Sequence, residues 1–210
     1  MSIYIFYHIF CNQLTIFTLK DQIAKIIYSG LYAKVTQIFC FVTGYPPFVD
    51  QCLTFLQSAG NKINITQISY CDTTGERFTI LCIKDYITPD DKILYMHTKG
   101  VTKPFDEPVY SWRALIEYQL IANHNKCLEL LNSYDTVGVN YRLQPKPHYS
   151  GNYWWTTGAY FLKLPPTIGD HYTDPEMYIF SANPRHYCIY DSEVSNHYMD
   201  YYPFNKYIDI

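Results

Sequence analysis

The stretch Asp91-Lys-Ile-Leu-Tyr-Met-His-Thr-Lys-Gly100 runs from a turn through a short apolar segment into charged residues. Pro89-Asp90 before it favours a turn, residues 93–96 are continuously apolar, and Gly100 ends the run. This length and these flanking residues predict a buried central strand and not a helix. Binding sites of α/β sheets lie beyond the carboxyl ends of such strands. We therefore expect the chemistry of this chain near residue 97.

His97 and Lys99 are two residues apart at the end of this predicted strand, so their side chains leave it on the same side while Thr98 points away. Lys99 offers a cation with three hydrogen-bond donors. His97 offers a neutral imidazole for a metal, or a second donor for an anion. A diphosphate, with or without a divalent ion, suits both. The alternative is that both are ordinary polar residues at a strand end.

The first half of the chain alternates apolar strands with helices. Apolar runs predict strands at 3–10, 36–43 and 92–97, and a weak apolar alternation predicts one at 62–69. Helices are predicted between them at 21–32, 48–58 and 79–86. This order predicts right-handed crossovers and an α/β fold with a mainly parallel sheet flanked by helices. Tyr7, His8, the loop from Asp72 to Arg77, and the pair His97 and Lys99 would then gather at one edge of the sheet.

The second half is organised differently. We predict a long helix from Ser111, a helix at 127–131, a strand at 135–140, a polar binding loop at 141–149, a helix at 157–164, a short helix from Asp174 and a last strand at 187–190. The tail from Asn196 holds His197 and is expected to fold back.

Two adjacent tryptophans, Trp154 and Trp155, follow Ser150-Gly-Asn152. Gly151 allows close approach of a backbone to a ligand, Asn152 can donate to and accept from hydroxyls, and an indole face can carry a pyranose ring. Neighbouring strand residues face opposite sides, so at least one of the two tryptophans is expected in the core. Sugar binding and core packing both stay open for the other.

Several further residues have a chemical and a structural interpretation. Glu176, behind Asp174-Pro175 at a helix start, is either a general base or a first-turn acid favoured by the helix dipole. Arg77 either contacts the phosphate or the base of a nucleotide, or pairs with Glu76 at the surface. His197 could join a metal held near His97.

Composition narrows the classes of function. The chain has 210 residues and a formal net charge of −3. It has no basic run, which argues against nucleic acid or anionic lipid as a partner. One domain is expected at this length. The 23 Tyr fit stacking on bases or sugars, and fit compositional drift equally well.

Cysteine usage and the amino terminus indicate a compartment. The seven Cys form no C-x-x-C pair, which is typical of reduced thiols and not of disulfides or zinc sites. No positively charged residues precede the apolar run within residues 1–10. The run therefore predicts a first strand and not a signal peptide or membrane span. We expect a cytoplasmic protein. No Gly-rich Walker or dinucleotide loop is present, which argues against P-loop kinases and NAD enzymes.

An ordered series of motifs resembles a known family. The series comprises Glu76-Arg77-Phe, Leu94-Tyr-Met-His-Thr-Lys-Gly100, Trp112-Arg113, Tyr149-Ser-Gly-Asn-Tyr-Trp-Trp155, Leu164-Pro and Asp174-Pro-Glu176. It looks like that of a giant-virus and chlorella-virus glycosyltransferase group. It is more distantly similar to the bacterial rhamnan-synthesis F proteins. The resemblance covers nearly the whole chain.

The resemblance implies a GT-A-type fold in one glycosyltransferase domain over 1–210. This domain has a nucleotide-binding half (1–105) and an acceptor half (106–210). A single domain of a longer protein is the alternative. It implies transfer of glucose or rhamnose from a UDP-sugar to a glycan or protein, such as a viral capsid glycan made in the host cytoplasm. GT-A enzymes usually carry Asp-x-Asp where His97-Thr-Lys99 stands here. That departure puts the need for Mn²⁺ or Mg²⁺ in doubt, with His97 and His197 as the candidate metal ligands.

The roles that follow are divided among the two halves. Glu176 and Lys99 are the candidate catalytic residues, with Glu176 as the base if the reaction inverts the anomeric centre. The candidate nucleotide-binding residues are Tyr7, His8, Arg77, His97 and Lys99. The candidate sugar- or acceptor-binding residues are Trp112, Arg113, Ser150, Gly151, Asn152, Trp154 and Asp174.

Other classes of function stay open. The missing Asp-x-Asp fits a carbohydrate-binding protein on a degenerate transferase scaffold, which would bind sugar without releasing UDP. A structural or interaction domain would do neither. A sugar-nucleotide hydrolase is a further alternative. The sequence decides neither the donor sugar, the acceptor, the linkage nor the oligomeric state.

Overall fold

The computed structural model describes residues 1–70, 75–103 and 106–208. The loop predicted from Asp72 therefore lies partly outside the described residues. In chain order the elements of the first half are β1 (Ile3–Cys11), α1 (Thr15–Tyr28), α2 (Leu31–Lys34), β2 (Gln37–Gly44), α3 (Pro46–Ser58), β3 (Ile63–Ser69), α4 (Glu76–Cys82) and β4 (Lys92–His97). Each predicted strand of this half is present to within about one residue.

The second half contributes shorter elements. They are α5 (Glu107–Glu117), α6 (His124–Leu130), β5 (Thr136–Val139), β6 (Tyr141–Arg142), β7 (His148–Tyr149), β8 (Trp154–Thr157), α7 (Gly158–Phe161), α8 (Asp174–Met177) and β9 (His186–Tyr190). A π-helical turn, Tyr118–Ala122, extends α5, and 3₁₀ turns follow α4 and α8.

A seven-stranded sheet forms the centre of the described chain, in the order β3-β2-β1-β4-β8-β5-β9. β1 pairs in parallel with β2 and β4, and β2 pairs in parallel with β3. β8 runs antiparallel between β4 and β5, while β9 is parallel to β5. The predicted α/β class with a mixed, mainly parallel sheet is confirmed, and the strand at 92–97 is central as predicted.

Each face of the sheet carries its own core. On β1, Ile5 packs into the cluster under α1, α3 and α5, whereas its neighbour Phe6 packs into the cluster on the opposite face. Trp154 and Trp155 are both fully buried and divide between the two clusters in the same way. Alternation along each strand therefore supplies both cores, and both tryptophans are core residues.

Two local predictions are wrong. The first long helix begins at Thr15 and not at Asp21, because the Asn12 side chain accepts a hydrogen bond from the Leu14 N–H at 2.9 Å and closes the preceding turn. The segment 141–149 is not simply a polar loop: it contains the paired strands β6 and β7, and His148 and Tyr149 are buried.

Smaller differences concern helix lengths and thiols. The predicted helix at 157–164 is reduced to the four residues of α7. The six cysteines in the described ranges are free, and Cys71 lies outside them. No helix in those ranges has both the length and the apolar character needed to cross a bilayer.

Candidate functional site

A cleft of about 440 Å³ opens beyond the carboxyl ends of β1 and β4. Its walls come from the start of α4, from the loop that follows β4, from the turn before β8 and from α8. Among its lining residues are His8, Glu76, Arg77, His97, Lys99, Gly151, Asn152 and Glu176. The parallel strands bring these side chains together because their ends meet at one edge of the sheet.

Lys99 is the buried cation of this cleft. Only 8% of the residue is exposed, and its Nζ lies 3.5 Å from the centroid of the Trp112 ring. Within the described residues, Nζ has no hydrogen-bond acceptor and no carboxylate at ion-pair distance. Burial lowers the pKa of Lys99 to about 8, although Glu176 and Glu76 act to raise it. The side chain is therefore a cation at pH 7 that lacks a close anion.

His97 is held as a neutral ring. Its Nε2 lies 3.0 Å from the carbonyl oxygen of Gly151. A carbonyl oxygen can only accept, so Nε2 carries the hydrogen and Nδ1 keeps a lone pair. Burial first, and Lys99 second, lower the pKa of His97 to about 3. Nδ1 is therefore an acceptor at neutral pH.

The Glu76 carboxylate lies opposite His97 Nδ1 and is also a hydrogen-bond acceptor. Its Oε1 lies 3.8 Å from His97 Nδ1, while its Oε2 accepts hydrogen bonds from the Tyr95 hydroxyl at 2.6 Å and from Asn152 Nδ2 at 2.7 Å. Because His97 is neutral, this contact is not an ion pair. Two fixed acceptor atoms thus face each other at a distance that a shared donor or cation could bridge.

Gly151 links the two sides of the cleft through its peptide groups. Its carbonyl oxygen orients His97, and its N–H donates to Glu176 Oε1 at 2.9 Å. A Cβ at this position would come within 2.6 Å of Ile116 Cδ1 and 3.3 Å of Lys99 Cε, and its φ is +98°. Gly151 therefore packs closely against side chains that support the cleft, while its predicted close approach to a ligand stays a prediction.

Asn152 lines the cleft and connects it to the core. Its Nδ2 donates to Glu76, and its Oδ1 accepts from the indole Nε1 of Trp154 at 3.0 Å. Trp154 is fully buried and stacks on Tyr95 with ring centroids 4.9 Å apart. This chain of contacts fixes the Glu76 carboxylate, so Trp154 supports the site from the core.

The predicted site residues divide into two groups. Those that line the cleft are His8, Arg77, His97, Lys99, Gly151, Asn152 and Glu176. Those that lie outside its lining are Tyr7, Trp112, Arg113, Ser150, Trp154, Asp174 and His197.

Several residues of the second group support the first. Trp112 lies beneath Lys99, and Arg113 Nη1 donates to the Lys99 carbonyl oxygen at 2.9 Å. Tyr7 is fully buried in the same core cluster as Trp112, where its hydroxyl donates to Gln22. It contacts the core network and not the cleft. His197 is also buried, with Nε2 3.0 Å from Asn140 Nδ2 and 3.1 Å from Ser192 Oγ.

The remaining predicted residues hold turns. The Ser150 N–H donates to the Asn140 carbonyl oxygen at 3.1 Å. Asp174 Oδ2 accepts from the His171 N–H at 2.8 Å. Their contacts shape the segments before β8 and α8, and a bound sugar is not needed to explain either residue.

Arg77 and His8, two further basic residues of the cleft, contact neighbouring residues of the chain. Arg77 Nε donates to the Gly169 carbonyl oxygen at 2.7 Å, and Nη2 donates to that of His171, which leaves Nη1 without a partner in the described chain. His8 Nδ1 lies 2.9 Å from Thr79 Oγ1. Arg77 therefore joins the loop before α8 to the start of α4.

The sequence placed Glu76 at this edge only as part of the loop from Asp72 to Arg77 and gave it no role in the site, and it did not single out Tyr198. Glu76 opens α4 and turns toward β4, where it accepts from the Tyr95 hydroxyl. Tyr198 reaches the cleft from the tail, which folds back as predicted: His197 stacks on Trp112 with ring centroids 5.0 Å apart. The helix predicted at 79–86 begins at Glu76 instead, and an acidic residue in the first turn of a helix is the signal that could have singled out Glu76.

In the described ranges, no three His, Cys, Asp or Glu side chains are grouped so that they alone could hold a metal ion. A metal here would need ligand atoms from a bound molecule as well.

Comparison with known proteins gives a family and a fold. The family described as "Domain of unknown function (DUF8361)" matches residues 6–174. No curated protein matches the chain. A solved structure of similar fold is 4-diphosphocytidyl-2C-methyl-D-erythritol synthase from Anaerococcus prevotii DSM 20548, with a TM-score of 0.50 and 10% identity over 90% of this chain and 86% of that chain. This likeness supports the predicted GT-A-like fold and, at that identity, the fold alone.

Proposed function

This chain belongs to the DUF8361 family, and from the geometry of its cleft we propose that it is a glycosyltransferase that moves a sugar from a UDP-sugar donor to a glycan or protein acceptor. The observation that carries the proposal is Lys99. A lysine with 8% exposure and no close anion in the described chain is costly unless a ligand supplies the negative charge. Its place at the carboxyl edge of β4 is where α/β folds bind nucleotides.

The donor diphosphate is the group that fits Lys99. A nearby cation stabilises the charge that develops on the UDP oxygen as the bond from the sugar to the phosphate breaks. Arg77 Nη1 is a second donor available at the rim. Tyr7, proposed from the sequence to lie near the uracil, is buried away from the cleft, so His8 is the candidate from β1 for that role.

A divalent cation also fits the cleft. His97 Nδ1 and Glu76 Oε1 are acceptor atoms 3.8 Å apart, and each residue is oriented by a second contact, as is usual for metal ligands. Mn²⁺ or Mg²⁺ would be held by these two residues, with diphosphate oxygens completing its ligands. Bound there, the ion would supply charge neutralisation for the leaving group. In this proposal Glu76, and not His197, is the partner of His97.

Glu176 is the proposed base. Its Oε1 is held by the Gly151 N–H, so the carboxylate is oriented while Oε2 is available to a ligand. In an inverting transfer, Glu176 takes the proton of the acceptor hydroxyl as its oxygen bonds to the anomeric carbon and UDP leaves with the electron pair of the broken bond. In a retaining transfer Glu176 would need another role. The anomeric configuration of the product decides between them.

The identity of the sugar and acceptor rests on the resemblance to the giant-virus and chlorella-virus group. On that ground we propose UDP-glucose or UDP-rhamnose as the donor and a capsid glycan, made in the host cytoplasm, as the product. Release of UDP from each donor in the presence of candidate acceptors would test this part separately.

Calorimetric titration of UDP, GDP and CMP, each with and without Mn²⁺, tests the donor site. We expect UDP to bind best, and Lys99→Met to weaken UDP about 10- to 100-fold, because a hydrogen bond to a charged group contributes about 1.5–3 kcal/mol. Lys163→Met is the matched control, since Lys163 is exposed after α7, at the opposite end of the sheet.

The contrary outcomes are distinct. Absence of nucleotide binding under every condition would refute the donor site and favour the carbohydrate-binding alternative. Unchanged UDP affinity in Lys99→Met would remove Lys99 from the diphosphate site.

A further inference from the structure

A second recess lies between the end of α1, the outer side of α5 and the tail. We call it the tyrosine recess and define it by Tyr28, Tyr110, Tyr201 and Phe204 at its rim and the Lys25–Glu117 pair at its floor. Its volume is about 500 Å³. The four rim residues are 88%, 56%, 57% and 52% exposed, respectively. Such a group of exposed rings around a hollow is typical of an interaction site.

The charged side chains at the floor of the recess are all paired with one another. Lys25 Nζ lies 2.6 Å from Glu117 Oε2 and 2.7 Å from Asp21 Oδ2. Glu117 also accepts from Gln22 Nε2 at 2.6 Å and lies 3.4 Å from Arg113 Nε. Because these charges compensate one another, a phosphate, a carboxylate or a charged lipid headgroup finds no partner there.

The rim offers ring faces and hydroxyl groups together. Within the described chain, the hydroxyls of Tyr28, Tyr110 and Tyr201 have no hydrogen-bond partner, so all three can donate to and accept from a ligand. The aliphatic residues of the lining are two alanines, Ala114 and Ala122. An acyl chain or an amphipathic helix would favour a larger aliphatic surface. Pyranose rings, with apolar faces and many hydroxyls, match this lining.

The recess adjoins the cleft. Val109 lines the cleft and Tyr110 lines the recess, and the tail supplies Tyr198 to the first and Tyr201 to the second. The start of α5 and the segment 198–202 thus form a wall common to both. An oligosaccharide long enough to extend from the recess past this wall would bring its terminal sugar to the cleft.

We propose that the tyrosine recess binds a neutral oligosaccharide and is where the growing glycan acceptor is held. This inference rests on the proposed glycosyl transfer, and it adds a substrate class: an uncharged acceptor of several sugar residues. It also assigns Tyr110 and Tyr201 as acceptor-binding residues that do not touch the donor.

Neutral oligosaccharides of three to five glucose, galactose, mannose or rhamnose residues are titrated into the full chain. Binding is measured by saturation-transfer NMR and calorimetry. We expect at least one to bind, and the double variant Tyr110→Ala/Tyr201→Ala to weaken it at least about 10-fold through loss of two ring contacts. UDP affinity should stay unchanged. Tyr70→Ala is the matched control, because Tyr70 is 53% exposed and outside both lining sets.

The outcomes separate this inference from the proposed function. UDP binding without any oligosaccharide binding, or oligosaccharide binding undiminished in the double variant, would overturn the inference and leave the donor site standing. Oligosaccharide binding that depends on the two tyrosines, without UDP binding, would support the recess and refute the transferase. A third outcome is that no sugar binds, and that sedimentation shows a dimer for the wild type and a monomer for the double variant. The recess would then be an interface between two copies of the chain, and the proposal would be overturned.

Discussion

At the scale of single residues, Gly151 is where the cleft is most sensitive to added volume. Its φ of +98° disfavours any side chain, and its Cβ position lies against Ile116, Lys99 and Trp112. We expect Gly151→Ala to lower the free energy of unfolding by about 2–5 kcal/mol, as the sum of backbone strain and overpacking. Urea denaturation followed by circular dichroism measures this change.

Gly30 provides the control for Gly151. Its φ is +81°, and a Cβ there meets no atom within 4 Å. Gly30→Ala should therefore cost about 1–2 kcal/mol, from backbone strain alone. Equal losses in the two variants would show that the packing around Gly151 can relax.

At the scale of elements, the tail after β9 packs against α5 through the imidazole ring of His197, which can titrate. His197 stacks on Trp112, and Asn140 Nδ2 faces its Nε2, so Nε2 must keep its lone pair. Burial first, and Arg142 and Lys99 next, lower the pKa of His197 to about 4, while Asp191 and Asp200 oppose the shift. Protonation would place two donors against each other.

This gives a pH dependence with a definite sign. The pKa of His197 in the folded chain is below its unfolded value of about 6.5. Its contribution to stability is therefore complete above pH 6.5 and lost as the pH falls toward 4, by at most about 1.4 kcal/mol per pH unit. His197→Phe keeps a ring on Trp112 but cannot titrate. Its unfolding free energy, measured in urea at pH 6.5, 5.5 and 4.5, should fall less steeply than that of the wild type.

The level and the slope carry different information in that experiment. At pH 6.5 the variant should be less stable than the wild type by about 1–3 kcal/mol, because Asn140 Nδ2 is left without an acceptor, and this difference should shrink as the pH falls. Parallel pH profiles in the two proteins would show that His197 does not titrate on unfolding, whatever the difference in level.

The elements also show how far sequence reasoning reaches. Continuous apolar runs identified β1, β2 and β4 because a strand covered on both faces needs no polar residue. The start of α1 was missed because one side chain, Asn12, decides it. The insertion of β8 between β4 and β5 depends on pairing between distant segments, which no local pattern encodes. For the same reason His97 and Lys99 could be assigned to a site, whereas Glu76 could not be placed opposite His97.

At the scale of the whole molecule, β8 joins the two halves of the chain. It belongs to the second half, yet it pairs with β4 of the first half along four residues, Lys92 to Tyr95. The core on each face also combines both halves: Leu19 and Trp155 share one cluster, and Phe6 and Trp154 share the other. The predicted nucleotide-binding and acceptor halves are thus proposed as parts of one cooperative unit.

Cooperative unfolding of the described halves can be tested because all 3 tryptophans, at 112, 154 and 155, lie in the second half. Leu19→Ala removes a fully buried side chain from α1 in the first half and should lower the free energy of unfolding by about 2–5 kcal/mol. Since the halves share their cores, tryptophan fluorescence and far-ultraviolet circular dichroism should report the same shifted transition. Phe17→Ala, at a position 69% exposed on the same helix, should change stability by less than about 0.5 kcal/mol. A fluorescence transition that stays in place while the circular dichroism transition moves would mean that the halves unfold independently and that the cleft lies between two separate domains.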